Sequence, residues 1–256
     1  MRFASIASGS RGNALLVQSA RACILLDCGI SFRQLVAGLD RLGLSLADLQ
    51  AVFITHEHGD HIKGVRALCR KSALPVYMTR GTAAAADYLS LPQLRCLDGF
   101  AAVSIGDLCV QPVVVPHDAR EPCQFVVTEK NSAGDKSLGV LTDLGSYTPH
   151  VAAAYRNCDA LVLEFNHDVA LLQGGPYPPS LKQRVLGDWG HLSNRQAGDL
   201  LMQFDRDKLQ WLVVAHISQQ NNSQAQVEAV LQQVFPYPER FCLADQDDGF
   251  PWLEVA

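Results

Sequence analysis

The chain has 256 residues, 48% of them apolar, which is enough for one large core or a two-sheet domain, so residues 1–256 read as a single domain. Its eight cysteines include no Cys-x-x-Cys pair, which excludes a small disulfide-stapled scaffold and points to reduced thiols. No apolar leader and no run of about 18 apolar residues occurs, which excludes a membrane span and predicts a soluble cytoplasmic protein, while a formal charge of −5 excludes no anionic substrate because only the charge at the reaction centre counts.

Residues 3–8 and 14–18 read as a hairpin around Gly9-Ser10-Arg11-Gly12-Asn13. That loop lacks the Gly-Lys-Ser/Thr ending of a P-loop. It reads first as a plain turn, and alternatively as a phosphate-holding loop in which backbone N–H groups, Arg11 and Asn13 meet the substrate. Residues 23–26 form the next strand and end in Asp27, expected to support a metal-binding histidine from behind rather than to ligate. Cys28 is the cysteine nearest the proposed site, whereas Cys109, Cys158 and Cys242 read as small core hydrophobes. Helical spacing at Phe32, Leu35, Val36, Leu39 and Leu42, with Ser31 as N-cap and Gly43 as stop, predicts a helix over 31–42.

The β-branched, aromatic run 51–55 predicts a buried strand that delivers His56-Glu57-His58-Gly59-Asp60-His61. In extended backbone His56 and His58 point to one side, and Gly59 permits the turn that returns Asp60 and His61 to the same space, so two pairs of ligands face two metal ions. Imidazole and carboxylate suit Zn(II), with Mn(II) or Fe(II) also compatible; an all-thiolate set would have indicated structural zinc. A helix over 62–71, a strand over 75–79 and a helix over 82–89 follow without visible chemistry.

Four further apolar strands end in ligand-type residues. The strand over 109–116, with an edge-type Pro112, delivers His117-Asp118; 137–142 delivers Asp143; 160–165 contains Glu164 and delivers Asn166-His167-Asp168; 210–215 delivers His216. His167 reads either as substrate-facing or as bonded to a neighbouring strand, and His150 as structural. Prolines at 176, 178 and 179 make a rigid entry to a helix over 180–186. This helix reads first as a solvated amphipathic surface, and alternatively as a nucleic-acid groove in which Tyr177 stacks on a base and Lys182 and Arg184 neutralise phosphates. His191 precedes a helix over 192–204, and Arg195 just beyond it adds a candidate phosphate contact. A helix over 223–235, a closing strand over 241–255 and an acidic turn at Asp245, Asp247 and Asp248 complete the chain. The alternation predicts an α/β four-layer sandwich with helices outside two central sheets, one sheet before about residue 130 and one after, its ligand-bearing loops gathered at one end.

The string His56-x-His58-x-Asp60-His61 resembles the signature of the metallo-β-lactamase superfamily, and the other ligand-type residues follow in order along essentially the whole chain. The resemblance implies the αββα metallo-β-lactamase fold, with His56, His58 and His117 on one metal, Asp60, His61 and His216 on the other, Asp143 bridging, and a hydroxide between the ions. Classical zinc β-lactamases place an arginine where this chain has His61 and a cysteine where it has Asp143, so lactam hydrolysis is not expected. Flavodiiron oxidoreductases use a glutamate near the position of His58 and carry a flavin domain, neither of which is present. Glu164-Phe165-Asn166-His167-Asp168, Gly190-His191-Leu192-Ser193-Asn194, Ala215-His216-Ile217-Ser218 and Ser8-Gly9-Ser10-Arg11-Gly12-Asn13 look like the YycJ (WalJ) branch, which is associated with DNA exonuclease activity of 5′ to 3′ polarity. Glu164, His191 and His216 are also similar to the Glu, His-Ser-Thr and His-x-Ser elements of RNase Z, although the middle element here is His191-Leu192-Ser193.

These resemblances imply a dinuclear phosphodiesterase or nuclease acting on nucleic acid, DNA ahead of RNA. Asp60, Glu164 and His191 form its catalytic set, His191 protonating the leaving alkoxide and Glu164 orienting it or setting its pKa. Two other functions stay open: a small-molecule hydrolase of the glyoxalase II or cyclic phosphodiesterase type, and a non-catalytic metal-binding protein, against which the seven-ligand set argues.

Overall fold

The computed structural model describes residues 1–98, 101–132 and 134–256. Strands β1 (Arg2–Ala7), β2 (Ala14–Gln18), β3 (Cys23–Leu26), β4 (Ala51–Phe53), β5 (Val76–Thr79) and β6 (Leu94–Leu97) build one sheet in sequence order. Strands β7 (Val103–Ile105), β8 (Leu108–Val114), β9 (Cys123–Glu129), β10 (Lys136–Leu141), β11 (Ala160–Glu164), β12 (Trp211–Ala215) and β13 (Phe241–Leu243) build the second, again in sequence order. β14 (Phe250–Glu254) then crosses back and pairs antiparallel with β1. Each sheet is mixed: β3 to β6 and β10 to β13 run parallel, and the remaining neighbours antiparallel.

The central strands are apolar on both faces because both faces are covered. Along β3, Ile24 and Leu26 enter the core between the sheets while Cys23 and Leu25 meet the helices outside; along β11, Ala160 and Val162 face inward and Leu161 and Leu163 outward. Helices α1 (Phe32–Arg41), α2 (Gly59–Ile62), α3 (Val65–Lys71) and α4 (Arg80–Ala85) cover the first sheet, with Leu35, Leu39, Val65, Leu68 and Ala83 fully buried against it. Of helices α5 (Pro149–Tyr155), α6 (Val169–Gly174), α7 (Pro179–Leu186), α8 (Asn194–Leu201) and α9 (Gln224–Val234), α5, α8 and α9 cover the second sheet. Among the described residues no helix is long and apolar enough to cross a membrane.

The predicted four layers are present, but the boundary between the sheets differs. It falls between β6 and β7 rather than near residue 130, so the strand that delivers His117 belongs to the second sheet. The predicted closing strand over 241–255 is two strands in different sheets, separated by the turn that contains Asp245, Asp247 and Asp248. β9 has no counterpart among the predicted elements, since Gln124, Thr128 and Glu129 dilute its apolar signal. Pro112 sits inside the sheet order yet costs no ladder bond on its outer side. β7 covers only Leu108 to Val110 of β8, so the strand is again an edge at Pro112.

Candidate metal centre

Parallel strands β3, β4, β10, β11 and β12 all end at one rim, and the first residues beyond them carry the polar groups. Three of these residues, Asp27, Asp143 and His216, have φ of 62°, 54° and 52°, a left-handed conformation that bulky residues seldom adopt. Each turns its side chain sharply at a strand exit, and the cluster of such turns marks the rim as a site.

The first group is His56, His58 and His117, whose ligand atoms lie within 4.8 Å of one another. His58 Nδ1 is 3.2 Å from His117 Nε2, and the buried Nε2 of His56 has no hydrogen-bond partner. The outer nitrogen of His117 faces the Gly190 carbonyl at 3.1 Å, so it carries the proton and donates it, leaving the Nε2 lone pair free. Burial pushes the imidazoles of His56 and His117 below their ordinary range and keeps them in the neutral, ligating form.

The second group is Asp60, His61, Asp143 and His216. His61 Nε2 lies 3.1 Å from Asp143 Oδ2 and 3.4 Å from Asp60 Oδ2, and His216 Nε2 lies 3.4 Å from Asp143 Oδ1 and 3.5 Å from Asp60 Oδ2. Gly59 begins α2 instead of a plain turn, and that single helical turn sets Asp60 and His61 back into the site. Behind His61, Asp27 accepts from Nδ1 at 2.7 Å and is itself fixed by the backbone N–H and hydroxyl of Thr55 at 2.9 and 3.0 Å. Burial alone would raise the carboxyl of Asp143, but the flanking His216 and His61 hold it well below the ordinary carboxylate range. His216 moves the other way, to about 9, because Asp143 and Asp60 outweigh the effect of burial.

Beside both groups stands Glu164, fully buried at the end of β11. It accepts from the backbone N–H groups of Asp143 at 3.1 Å, Leu144 at 3.4 Å and Leu192 at 2.9 Å, and from His191 Nδ1 at 3.0 Å. Burial opposes charge on His191, yet the carboxylate of Glu164 raises its pKa above the ordinary value. Asn166 donates to the carbonyl of His216 at 3.1 Å.

The orphaned buried atoms decide whether a metal fits. His56 Nε2, His216 Nε2 and Asp143 Oδ2 are buried without a hydrogen-bond partner, a costly state for polar atoms unless an ion satisfies them. Nitrogen and carboxylate donors without thiolate are the set that suits zinc or a neighbouring divalent ion. The residues fit the group.

The centre opens into a cleft of about 380 Å³ lined by Ser10, His58, Asp60, Tyr177, Arg184 and His191 among others. Of the residues expected to meet substrate, Arg184 lines this cleft, with its Nε hydrogen-bonded to Asp118. Asn13 does not line the cleft but packs against the second group: its amide is 3.1 Å from His61 Nε2 and 3.3 Å from the Asp60 carbonyl. Arg11 pairs with Asp247 at 2.6 Å and Lys182 donates to the Gln173 carbonyl at 2.7 Å; neither side chain lines the cleft, nor does that of the exposed Arg195. His167 is buried with both ring nitrogens unpartnered, and burial lowers its pKa to about 4. Sequence reasoning gave no role to Asp118, which follows His117 beyond β8, or to Asn166, which follows Phe165 beyond β11.

Residues 23–217 match the family described as the beta-lactamase superfamily domain. The exodeoxyribonuclease YycJ of Bacillus anthracis is 33% identical over 98% of this chain and 97% of its own length. The exodeoxyribonuclease WalJ of Streptococcus pneumoniae is 34% identical over 86% of this chain and 83% of its own length. Among solved structures, the metallo-β-lactamase fold protein YhfI of Bacillus subtilis superposes with a TM-score of 0.75 at 17% identity, covering 98% of each chain. Human tRNase Z, short form, superposes with a TM-score of 0.67 at 18% identity over the whole of both chains.

Proposed function

The chain belongs to the beta-lactamase superfamily, and from that premise we propose that it is a dinuclear metal-dependent nuclease that hydrolyses phosphodiester bonds of DNA. The observation that carries the reading is the pair formed by buried Glu164 and part-buried His191 beside Asp143 and His216. An alkoxide is a poor leaving group and needs a proton, and this pair holds one at the edge of the centre. The names of the relatives, both exodeoxyribonucleases, support DNA over RNA and removal of nucleotides from an end. A cleft of about 380 Å³ is near the lower limit for small-ligand sites and suits a terminal nucleotide better than a duplex.

In this reading His56, His58 and His117 would hold one ion and Asp60, His61 and His216 the other, with Asp143 as a ligand the two would share; zinc is the first choice, with manganese or iron as alternatives. Such ions, when bound, lower the pKa of water and draw negative charge from a phosphoryl oxygen. The chain's own residues do the rest. Asp27 and the Gly190 carbonyl fix the tautomers of His61 and His117. Glu164 keeps His191 protonated and oriented, and His191 gives its proton to the departing oxygen. Arg184 supplies positive charge at the cleft wall for a neighbouring phosphate.

The test is digestion of 5′- and 3′-labelled DNA, single-stranded and duplex, beside matching RNA, with Zn(II) or Mn(II) and with Asp143→Ala as the control. Stepwise loss of DNA label that the variant abolishes is expected. Turnover of a thioester or cyclic phosphodiester with neither DNA nor RNA cleaved would overturn the nuclease reading.

A further inference from the structure

Unlike its neighbours α6 and α8, helix α7 has no buried residue. Its apolar residues Leu181 and Val185 stand one turn apart on one face, half-buried, and neither joins an apolar cluster of the core. Both line the cleft instead, together with Arg184 and with Tyr177 just ahead of the helix. Ile217, directly after His216, adds a further apolar group to that lining. Among the described residues no hydrogen bond and no second ring engages the half-buried side chain of Tyr177. An amphipathic helix ordinarily turns its apolar stripe to the core. Here the stripe meets a cleft that also holds Asp60, Asp143, His191 and His216, so apolar surface is offered to whatever enters beside the polar centre.

Hydrogen bonds fasten this wall at both ends. Lys182 Nζ donates to the Gln173 carbonyl at 2.7 Å, which ties α7 to α6, and the His191 N–H donates to the Val185 carbonyl at 3.0 Å, which ties its far end to the candidate acid. Arg184 Nε donates to Asp118, the Asp118 N–H donates to the Trp189 carbonyl at 2.9 Å, and His117 Nδ1 donates to the Gly190 carbonyl at 3.1 Å. Residues 184–190 thereby join the wall to the centre, while the terminal nitrogens of Arg184 stay unbonded among the described residues. We propose that Tyr177, Leu181 and Val185 form a stacking subsite for the nucleobase at the cleaved end of the substrate. The inference rests on the nuclease reading and names the part of the substrate that this wall holds. In a nucleotide the base is flat and apolar on its faces and the phosphate is charged; an aromatic ring and two aliphatic side chains beside a guanidinium match both parts. Every base has a π-face, so such a contact tolerates any sequence, which removal of successive nucleotides requires.

The test compares single-stranded DNA that carries a base at its terminus with DNA that carries an abasic tetrahydrofuran residue there, placed at the 5′ end in one set and at the 3′ end in another. The zinc-loaded full-length protein should show a KM roughly 5- to 150-fold lower for the base-bearing terminus at the end it cleaves. Tyr177→Ala and Leu181→Ser should narrow that difference, chiefly by raising KM on base-bearing DNA, and Tyr177→Phe, which keeps the ring, should recover most of it. Equal KM for the two termini in the unaltered protein overturns the inference, and so does a full difference kept by both Tyr177→Ala and Leu181→Ser. Calorimetric binding of 2′-deoxyadenosine 5′-monophosphate against 2-deoxyribose 5-phosphate reads the same contrast without cleavage. Should the unaltered protein cleave neither DNA, the nuclease reading fails. Tighter binding of the nucleotide, lost in Tyr177→Ala, would then still support the subsite, and equal binding of the two would overturn it as well.

Discussion

Glu164 Oε2 lies 3.0 Å from His191 Nδ1 and 3.1 Å from the backbone nitrogen of Asp143, so one buried carboxylate ties the candidate acid to the backbone of a residue in the second ligand group. The candidate acid and the candidate metal centre are thereby held by one side chain. This coupling leads directly to the first two expectations.

Replacing His191 with Ala removes the proposed proton donor and none of the residues of the two ligand groups. DNA cleavage should fall by about 10²- to 10⁴-fold. Bis(4-nitrophenyl) phosphate, whose phenolate departs without a proton, should be hydrolysed almost as fast as by the unaltered protein. Equal losses on both substrates would remove His191 from the acid role.

Glu164→Gln keeps the shape of the side chain but turns one acceptor into a donor. One of its four donors, the N–H groups of Asp143, Leu144 and Leu192 or His191 Nδ1, is then left without an acceptor. Urea denaturation should report a loss of about 1–3 kcal/mol, with cleavage impaired as in the His191 variant. Unchanged stability would show that the carboxylate is not what ties these elements together.

Asp27 combines a left-handed backbone with the bond behind His61, and the two can be separated by substitution. Asparagine tolerates that conformation, so Asp27→Asn should fold normally while metal affinity drops roughly 10- to 100-fold. Asp27→Ala should show the same loss of affinity and a lower melting temperature in the chelated protein, because it adds backbone strain. Matching apo-protein melting curves for the two variants would argue against that strain.

Gly29 lets the chain after β3 pass against α2: a Cβ there would meet the carbonyl and carbon of Asp60 and the backbone nitrogen of His61. The clash is with backbone and cannot relax by a rotamer change. Gly29→Ala should cost more than about 3 kcal/mol, or displace Asp60 and His61 and lose one zinc equivalent. Denaturation and zinc titration of the same sample report both outcomes.

Metal removal tests the centre as a whole. An ion that binds only the folded protein at 100 times its Kd adds about 2.7 kcal/mol, so EDTA should lower the melting temperature and zinc restore it. The same cycle should move Asp143→Ala by less, since the trio His56, His58 and His117 remains.

Much of the site was legible in the sequence because each candidate ligand directly follows an apolar run. A residue at the end of a strand buried on both faces must lie at a sheet rim, whichever sheet that is. The string from His56 to His61 and the residues His117, Asp143, Glu164 and His216 could be gathered on that ground. Asp27 behind His61 was legible for the same reason. Arg11, Lys182 and Arg195 show the limit, since a positive charge in a sequence does not say which way its side chain points. In the fold Arg11 turns to Asp247 and Lys182 to the end of α6.

Taken alone, the sequence determined the ligand types, their order and the strand that carries each, because these depend on local periodicity and on the residue at each strand exit. Only the tertiary structure decided that β8 and β9 join the second sheet, that β14 returns to the first, and that the Asn13 amide meets the centre-facing nitrogen of His61. It also decided that one segment at the cleft wall grips His117 and Asp118. Strand pairing and side-chain partnership join residues far apart in the chain, and their outcome depends on which faces the whole core brings together.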